Sequence, residues 1–435
     1  MNIHEQHIVR IEDWTNQGRG VSHVGDLVVF VEGALPGDRA RIEISELKKN
    51  YALASCLEIL EASPDRRESP CLYADRCDGC PLIELDYSAQ LDWKKSFIES
   101  AFLRIGKQSV QVDMLSDEDL GYRNKVNMRL DDRGRLSYSR LRSNEMVAVD
   151  SCPVATEPIR RLIGRWNSAT SPILDQTDLT DRIRMVVIRA NPRGETMIIL
   201  VLSPCGAPLR QKIFSACAGL GADVLCACEN KRPGDVRIHE PLYYSTAKKT
   251  LDERILDLHF SLSPQSFFQV NRFTIEPLYQ AALSLFSDRK GSFLDLYCGT
   301  GTTSLLLAKE ADRVIGVEAV RSAVEDAIKS ADYNQVRNVE FICAKAEDVI
   351  GSLTRNRDAD KALVDPPRKG LDKQVVDALV NSSLRELVYI SCNPVTQARD
   401  IALLLEGGFR LEKLVGLDQF PHTGHVETIA LIQKM

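Results

Sequence analysis

Two peptides in the last third of the chain place reactive side chains directly after mostly apolar runs. Asp365 begins an Asp-Pro-Pro-Arg peptide after residues 361–364, and Cys392 lies in a Ser-Cys-Asn-Pro peptide after residues 387–390. Short apolar runs that end in proline turns predict buried strands. Because ligands bind beyond the carboxyl ends of the strands in open α/β sheets, Asp365 and Cys392 are predicted to face the same crevice.

The thiol of Cys392 has two interpretations. A buried packing residue is the commoner role of a cysteine. However, Cys392 lies just past a strand end, against a turn fixed by Pro394. This position favours a nucleophilic thiol.

A candidate base follows near the C-terminus. Glu427 comes after Phe-Pro-His-Thr-Gly-His-Val and lies on the last predicted strand. A carboxylate there is a candidate general base. His422 and His425 in the same peptide are alternative bases, with structural or substrate-orienting roles favoured for both. A strand-end glutamate without a catalytic part is the remaining alternative.

A glycine-rich turn separates a predicted strand from a predicted helix. The run 292–297 leads into Cys-Gly-Thr-Gly-Thr, and Glu318 ends the next apolar strand, nineteen residues after Gly299. Glycines let the backbone approach a ligand, and an acid at this spacing accepts hydrogen bonds from ribose hydroxyls. The pattern fits a nicotinamide dinucleotide or S-adenosylmethionine, and a purely structural turn is the other alternative. Because no third glycine follows Gly301 in this loop, a ligand without phosphates is favoured.

A group of cysteines predicts a metal centre. Cys71, Cys77 and Cys80 lie within ten residues, and Cys152 supplies a fourth thiolate. Three local thiolates and a distant one suit a [4Fe-4S] cluster. Zinc is the alternative, although its usual signature has two short cysteine pairs and this chain has one. The cysteines interpreted as packing residues are Cys56, Cys205, Cys217, Cys226, Cys228, Cys298 and Cys343.

Length and composition limit the possible classes of protein. The 435 residues are 44% hydrophobic and 27% charged, which predicts a globular protein of two or three domains. No segment approaches the roughly 20 apolar residues of a membrane span, so a cytoplasmic protein without a membrane partner is expected. The net charge of −6 means that a nucleic-acid partner requires a local basic patch. The arginine-rich residues 122–142 form either this patch or a solvated hairpin.

The elements that position these residues follow from the hydrophobic pattern. Residues 5–60 alternate in short strands broken by glycines, which predicts a small β-barrel. Residues 88–104 have helical spacing. Residues 115–255 mix strands with a helix. From about 260 onward, strands alternate with helices, which predicts an α/β doubly wound parallel sheet.

Four longer peptides show a family resemblance. Residues 263–271, 365–368, 391–394 and 420–427 resemble the RNA 5-methyluridine methyltransferase family, most closely its bacterial 23S ribosomal RNA branch with an iron-sulfur cluster. The resemblance covers almost the whole chain, and these peptides are far more specific than the glycine loop.

The resemblance implies three domains. Residues 1–62 form a TRAM domain, which is an OB-like β-barrel that binds RNA. Residues 63–255 form a small α+β central domain that holds the iron-sulfur cluster and binds RNA. Residues 256–435 form a Rossmann-like class I methyltransferase domain. A helical segment near residues 88–112 is expected to pack on the catalytic domain.

The resemblance also implies roles for single residues. The nucleophile falls on Cys392 and the base on Glu427. The cofactor contacts fall on Gln269, Tyr297, Glu318 and Asp365. The ligands of the [4Fe-4S] cluster fall on Cys71, Cys77, Cys80 and Cys152. Thr302 and Lys345 depart from residues that are common in the family, so neither is assigned to the cofactor.

The implied reaction is S-adenosylmethionine-dependent methylation of uridine carbon 5 in RNA. A thiolate added to carbon 6 makes carbon 5 nucleophilic, and the base later removes the hydrogen from carbon 5. The target base must leave its stack to reach the thiol. The expected partner is 23S ribosomal RNA, and the enzyme is expected to be a monomer. The alternatives are the same chemistry on transfer RNA and a non-catalytic iron-sulfur RNA-binding protein.

Overall fold

The computed structural model describes the chain except at residues 78, 141, 142, 144, 178, 233 and 356–358. The chain divides into two compact units. The first unit comprises Met1–Ser96, Arg140–Ser143 and Phe420–His425. The second comprises Phe97–Ser139, Asn144–Gln419 and Val426–Met435. The three-domain division remains a prediction.

The first unit contains a six-stranded sheet. Its strands are β1 (Gln6–Arg10), β2 (Asp13–Trp14), β3 (Gly20–Val24), β4 (Leu27–Glu32), β5 (Arg39–Leu47) and β6 (Tyr51–Glu61). The order is β1-β5-β6-β4-β3-β2. Alternate residues such as Ile42 and Ile44 are buried in one core, as expected when one face of a sheet is solvated. The predicted N-terminal domain of short β-strands is confirmed.

The first unit also contains a segment from near the C-terminus, Phe420–His425. The backbone N–H of Leu82 donates to the carbonyl of His422 at 3.0 Å. Lys94 Nζ donates to the carbonyl of Phe420 at 3.0 Å, across 326 residues of sequence. Lys94 lies on the helix α1 (Tyr87–Arg104), which begins in the first unit and ends in the second.

The second unit contains a seven-stranded sheet built from the middle of the chain. In chain order, the elements of this part of the chain are β7 (Asp113–Leu115), β8 (Lys125–Leu130), β9 (Leu136–Ser139), β10 (Met146–Ala148), α2 (Glu157–Arg165), α3 (Ser171–Gln176), β11 (Ile183–Ala190), β12 (Thr196–Leu202), α4 (Gly206–Cys217), β13 (Val224–Glu229) and β14 (Leu242–Tyr244). The short strand β7 belongs to the eight-stranded sheet described below. The order of the seven-stranded sheet is β10-β9-β8-β11-β12-β13-β14. The same part of the chain also contains a π-helical turn (Trp166–Thr170) and two 3-10 turns (Thr180–Arg182 and Ala218–Leu220). A hairpin of β15 (Leu251–Ile255) and β16 (Leu258–Leu262) follows.

An eight-stranded sheet with flanking helices forms the rest of the second unit. Its further elements are α5 (Ile275–Ser284), β17 (Ser292–Leu296), α6 (Thr302–Ala308), β18 (Arg313–Glu318), α7 (Arg321–Tyr333), β19 (Val339–Cys343), α8 (Ala346–Arg355), β20 (Lys361–Val364), α9 (Lys373–Val380), β21 (Glu386–Ser391), α10 (Pro394–Glu406), β22 (Phe409–Leu417) and β23 (Glu427–Lys434). The order is β19-β18-β17-β20-β21-β23-β22-β7.

The five strands from the edge strand β19 to β21 are parallel, and β23 pairs antiparallel with β21. From β17 the chain adds strands outward to β19, and it then returns to add β20 and β21 on the other side. This reversal places a switch point between β17 and β20, where open α/β sheets bind ligands. The predicted α/β doubly wound sheet is confirmed. Among the residues that the structure describes, none of the helices combines the length and the apolar character needed to cross a membrane.

Candidate active site

The glycine turn lies at the switch point. Tyr297, Gly299 and Gly301 all have positive φ, at 64°, 56° and 80°. At Gly301 a Cβ atom would lie 2.9 Å from the Cβ of Ala327, so glycine is required by space as well as by conformation. At Gly299 a Cβ atom would meet nothing within 4 Å. The backbone at Gly299 is therefore open to close approach by a ligand.

Glu318 locks this turn from the end of β18. One carboxylate oxygen, Oε2, accepts the N–H of Gly299 at 3.1 Å, and Oε1 accepts the N–H of Val320 at 2.8 Å. The side chain remains half-buried, so it retains lone pairs for a ligand. This geometry suits a carboxylate that accepts hydrogen bonds from ribose hydroxyls.

Asp295 was not singled out from the sequence, yet it lies fully buried on β17 beneath the turn. Its Oδ2 accepts hydrogen bonds from Thr303 and Ser304 at 2.6 and 2.5 Å. Its Oδ1 has no hydrogen-bond partner among the described residues. Burial raises the pKa of Asp295 to about 6. A buried acceptor beside an open turn fits a cationic ligand, and the amino acid moiety of S-adenosylmethionine carries an ammonium group.

Asp365 follows β20 at the neighbouring strand end. Burial raises the pKa of its carboxyl to about 7, and the charge of Asp295 adds to the shift. The backbone N–H of Asp365 donates to the carbonyl of Leu296 at 3.3 Å. The predicted cofactor residues Tyr297, Glu318 and Asp365 therefore come together at one edge of the sheet.

Cys392 follows β21 at the next strand end and is half-buried. Burial, with smaller contributions from the nearby Glu427 and Asp365 carboxylates, raises the pKa of its thiol to about 11. The guanidinium of Arg368 opposes this shift through its charge and a hydrogen bond to the thiol. Arg368 is thus the cation that favours the thiolate. The sequence identified Arg368 only as the residue after the two prolines, without a role.

The loop that carries Arg368 is fastened to the helix after Cys392. The backbone carbonyl of Arg368 accepts hydrogen bonds from Asn393 Nδ2 at 3.1 Å and from Thr396 Oγ1 at 3.2 Å. Asn393 also caps α10, because its Oδ1 accepts the N–H of Val395. The cap thus fixes the backbone of Arg368 relative to the nucleophile.

Glu427 begins β23 and is only 5% exposed. Burial raises the pKa of its carboxyl to about 8, with a further contribution from Asp365, while Arg368 lowers it. The predicted nucleophile and base therefore share the field of the same guanidinium. A carboxyl with a pKa near neutrality is suited to proton transfer in both directions.

Gln269 lies on the segment between β16 and α5. Its side-chain oxygen accepts a hydrogen bond from Gln419 Nε2 at 3.0 Å, and its backbone carbonyl accepts one from Asn124 Nδ2 at 3.1 Å. On the same segment the aromatic side chain of Phe267 is 66% exposed. The sequence did not reveal this exposure, because Phe267 adjoins a second phenylalanine, Phe268, and only the structure shows which of the two is buried.

The two histidines considered as alternative bases lie in the first unit. His422 is fully buried, and its Nδ1 lies 3.2 Å from Gln90 Nε2. The backbone N–H of His422 also donates to Gln90 Oε1 at 2.8 Å. The ring of His425 lies 6.1 Å from that of Phe420 in an edge arrangement. These contacts favour structural roles.

The cysteines predicted as cluster ligands are divided between the units. Cys71, Cys77 and Cys80 belong to the first unit, Cys152 belongs to the second, and all are half-buried. Within the described part of the chain, no three or more His, Cys, Asp or Glu side chains are grouped to hold a metal ion. The geometry therefore adds no support to the cluster beyond that of the sequence spacing.

The sheet, the glycine turn and the acid at the end of β18 define a mixed α/β methyltransferase fold. Residues 243–435 match the family tRNA (Uracil-5-)-methyltransferase, and residues 7–57 match the TRAM domain. An uncharacterized RNA methyltransferase of Caldanaerobacter subterraneus subsp. tengcongensis is 37% identical over 100% of this chain and 99% of its own length. Another, from Clostridium acetobutylicum, is 33% identical over 98% of this chain and 96% of its own.

A solved structure agrees over the whole length. Pyrococcus abyssi tRNA (uracil-54, C5)-methyltransferase in complex with S-adenosyl-L-homocysteine is similar with a TM-score of 0.79 and 26% identity, over 98% of this chain and 99% of its own. The chain belongs to the RNA uracil-5-methyltransferase family and carries an N-terminal TRAM domain.

Proposed function

We propose that this enzyme methylates carbon 5 of a uridine in RNA through a transient covalent bond between Cys392 and carbon 6 of the base. The observation that supports this proposal is the cluster of Cys392, Glu427, Asp365 and Arg368, which follow β20 and β21 or begin β23. A thiol, a base and a cation within one electrostatic field are what addition to a pyrimidine ring requires.

In the first step, Cys392 acts as the nucleophile. The thiol of half-buried Cys392 releases its proton to solvent, and Arg368 stabilises the resulting thiolate by charge and hydrogen bond. The sulfur adds to carbon 6 of uracil, and the electron pair of the 5,6 double bond moves toward the carbonyl at carbon 4. Carbon 5 thereby becomes nucleophilic.

The residues of the switch point hold the methyl donor. Gln269, Tyr297, Glu318 and Asp365 are the proposed contacts of S-adenosylmethionine, and Asp295 is added here on the basis of its unpartnered Oδ1 within the described residues. When bound, this cofactor supplies an electrophilic methyl group on a sulfonium. Half-buried Asp365 then orients the cofactor or the pyrimidine edge.

In the last step, Glu427 removes the proton of carbon 5. Loss of this proton restores the double bond and expels the sulfur of Cys392. Because the pKa of Glu427 is raised to about 8, its carboxylate is basic enough to accept the proton and can release it to solvent afterwards.

Replacement of Arg368 by methionine is expected to slow methylation at pH 7.5 by about a hundredfold. The guanidinium lowers the pKa of both Cys392 and Glu427, and both groups act in their deprotonated forms. Its removal raises both pKa values, so the rising limb of the pH–rate profile is expected to move to higher pH. The measurement is single-turnover methyl transfer between about pH 6.5 and 9.5.

Arg337→Met is the matched control, since Arg337 is exposed and paired with Asp332. It should leave both the rate and the pH profile unchanged. An Arg368→Met profile that keeps the wild-type shape and merely scales in amplitude would contradict the role given to the guanidinium.

The proposed substrate is 23S ribosomal RNA, methylated by a monomer of the enzyme. The sequence, with its four predicted cluster cysteines, resembles the 23S ribosomal RNA branch of the family, and this resemblance supports the ribosomal substrate. Transfer RNA is the second candidate, because the Pyrococcus abyssi protein is named for that substrate. In either RNA, exposed Phe267 offers a surface on which an unstacked base can rest.

Methylation of separated RNAs tests this assignment. The enzyme, labelled cofactor and unmodified 23S ribosomal RNA are expected to give labelled 5-methyluridine, identified by nucleoside analysis. Transfer RNA transcripts serve as the parallel substrate. Label in transfer RNA alone would replace the ribosomal assignment, and label in exocyclic or ribose positions would reject methylation of carbon 5.

We propose further that Cys71, Cys77, Cys80 and Cys152 hold a [4Fe-4S] cluster, on the support of their sequence spacing. Protein purified without oxygen is expected to be brown and to contain roughly four iron and four sulfide per chain. Cys71→Ser should lose the colour and the iron. Cys56→Ser, at a half-buried cysteine of β6, is the control that should keep them. A colourless wild-type protein that contains one zinc would reject the cluster.

A further inference from the structure

A chain of buried side chains reaches Gln269 from the start of α5. Thr274 Oγ1 donates to Gln419 Oε1, and Gln419 Nε2 donates to Gln269 Oε1 at 3.0 Å. Thr274, Gln419 and Gln269 are 2%, 0% and 8% exposed, respectively. The two hydrogen bonds join residues that are 145 and 150 positions apart in sequence. These three side chains form the amide relay.

The relay lies beside the proposed base. The strand β22 ends at Leu417, which lies opposite Glu427 at the start of β23. Gln419 follows two residues later, and its backbone N–H donates to the carbonyl of Leu417 at 3.1 Å. Gln269, the other end of the relay, is therefore tied to the edge of the sheet at which the proposed chemistry takes place.

The hydroxyl of Thr274 is not used as its position in the helix predicts. Thr274 is the N-cap of α5, and a threonine oxygen there normally accepts a backbone N–H of the first turn. The side chain of Thr274 makes no such cap. The hydroxyl instead bonds to Gln419, so its role is set by a tertiary contact and not by the helix.

The O–H group of Thr274 fixes the direction of the relay. A buried hydroxyl needs an acceptor, and a carboxamide has one oxygen and one NH2 group. Among the described residues, Gln419 is the one hydrogen-bond partner of this hydroxyl. The oxygen of Gln419 must therefore face Thr274, and its NH2 group must face Gln269. Gln269 accepts this bond through Oε1, and its own NH2 group remains for a ligand.

Two asparagines hold the backbone at both ends of the relay. Asn271 Nδ2 donates to the carbonyl of Gln419 at 3.2 Å, and Asn271 Oδ1 accepts the N–H of Phe273 at 3.0 Å. Asn124 Nδ2 donates to the carbonyl of Gln269 at 3.1 Å. With its backbone fixed, the amide of Gln269 can reverse only if the bond to Gln419 is lost.

The NH2 group of Gln269 is the free end of the relay. Within the described part of the chain it makes no hydrogen bond, and it is not sealed from solvent. It offers N–H donors and no acceptor. A carboxylate fits such a group, whereas an ammonium group does not. S-adenosylmethionine carries both groups on its amino acid moiety, and the unpartnered oxygen of Asp295 within the described residues already suits the ammonium group.

We propose that Thr274 and Gln419 are positioning residues that hold the NH2 group of Gln269 toward the carboxylate of the methyl donor. This inference rests on the proposed function for the contact between Gln269 and S-adenosylmethionine. The relay adds the direction of that contact, because Gln269 donates and the ligand accepts. It also excludes the reversed amide, whose oxygen would face the carboxylate and repel it.

The test compares S-adenosyl-L-homocysteine with its decarboxylated analogue, which lacks only the carboxylate. Isothermal titration calorimetry of the full chain measures both affinities. The wild type is expected to bind the carboxylate form roughly ten- to hundredfold more tightly, as for a hydrogen bond to a charged group. In Thr274→Val the amide of Gln419 is free to reverse, so this preference should fall about tenfold. Thr274→Ser keeps the hydroxyl and should keep the preference.

Two further variants make the result specific. Gln419→Met should lower the preference as Thr274→Val does. In a Gln269→Met background, Thr274→Val should have no further effect, because both substitutions act through the same amide. An unchanged preference in both Thr274→Val and Gln419→Met would overturn the proposal. Equal losses of affinity for the two compounds would show a purely structural role and would overturn it as well.

A uracil carbonyl is the other acceptor that the crevice would receive. Weaker RNA binding by Thr274→Val, with an unchanged preference between the two nucleosides, would move the acceptor to the RNA and overturn the assignment to the carboxylate. Failure of the proposed function gives a different result. The wild type would then leave carbon 5 of uridine unmethylated while the preference still depended on Thr274. Intact methylation with a preference that ignores Thr274 would reject the relay alone.

Discussion

Replacement of Cys392 by alanine is expected to reduce methyl transfer by at least roughly 10⁴-fold, since removal of a covalent nucleophile leaves only binding and orientation. The decisive measurement uses RNA with 5-fluorouridine at the target position and labelled cofactor. With fluorine in place of hydrogen on carbon 5, the base has no proton to remove and the sulfur of Cys392 cannot be expelled. The wild-type enzyme should therefore accumulate a denaturation-resistant complex with the RNA. The alanine variant should form none.

Cys205→Ala is the matched control for this experiment. Cys205 is also half-buried, and burial also raises the pKa of its thiol, but it precedes α4 in the seven-stranded part of the second unit. Its variant should trap RNA as the wild type does. Full methylation by Cys392→Ala would leave the non-catalytic interpretation, or another nucleophile, as the explanation.

Replacement of Glu427 by glutamine is expected to separate the two halves of the reaction. Addition by Cys392 and methyl transfer should proceed, whereas removal of the carbon 5 proton should slow by about 10²- to 10⁴-fold. The covalent complex should then accumulate on ordinary uridine, and only when the cofactor is present. Gel electrophoresis under denaturing conditions and mass spectrometry of the trapped peptide measure it.

Two comparisons make this result specific. The double variant Cys392→Ala with Glu427→Gln should trap nothing, which ties the complex to the thiol. Glu386→Gln tests a second buried glutamate, which lies on β21 and accepts a hydrogen bond from Ser287 N–H. It should turn over without accumulation. Rapid turnover by Glu427→Gln would mean that another group is the base.

The local features of the catalytic fold could be predicted from the sequence. The apolar run 361–364 coincides with β20, and the glycine turn lies where the pattern placed it. Such features depend on neighbours in sequence. The helix α4 lies within residues 115–255, where a helix among strands was expected, and it begins at Gly206. Proline is tolerated at position 208 in its first turn, because the missing N–H would be unpaired there.

The features that depend on tertiary contacts could not be predicted. Arg368 and Cys392 follow different strands, and only the parallel pairing of β20 with β21 brings their loops together. The hydrogen bond between Gln419 and Gln269 likewise joins side chains that are 150 residues apart in sequence. No periodicity in one strand specifies which residue lies opposite it in another. The oxygen of Asp295 that has no partner among the described residues likewise depends on where α6 places its hydroxyls.

Residues Phe420–His425 belong to the first unit, whereas the residues on both sides of them belong to the second. The catalytic part of the chain therefore cannot be separated from the first unit without losing contacts of this segment. His422 is held by Gln90, and Phe420 by Lys94, immediately before the chain returns as Glu427. A fragment beginning at residue 256 would contain every proposed catalytic side chain and yet lack these anchors. The peptide leading to the base would then be free to fluctuate. Such a fragment is expected to bind the methyl donor but to methylate RNA slowly. A deletion experiment would then suggest that the missing residues select the RNA, although their effect is to hold the peptide before Glu427 in place.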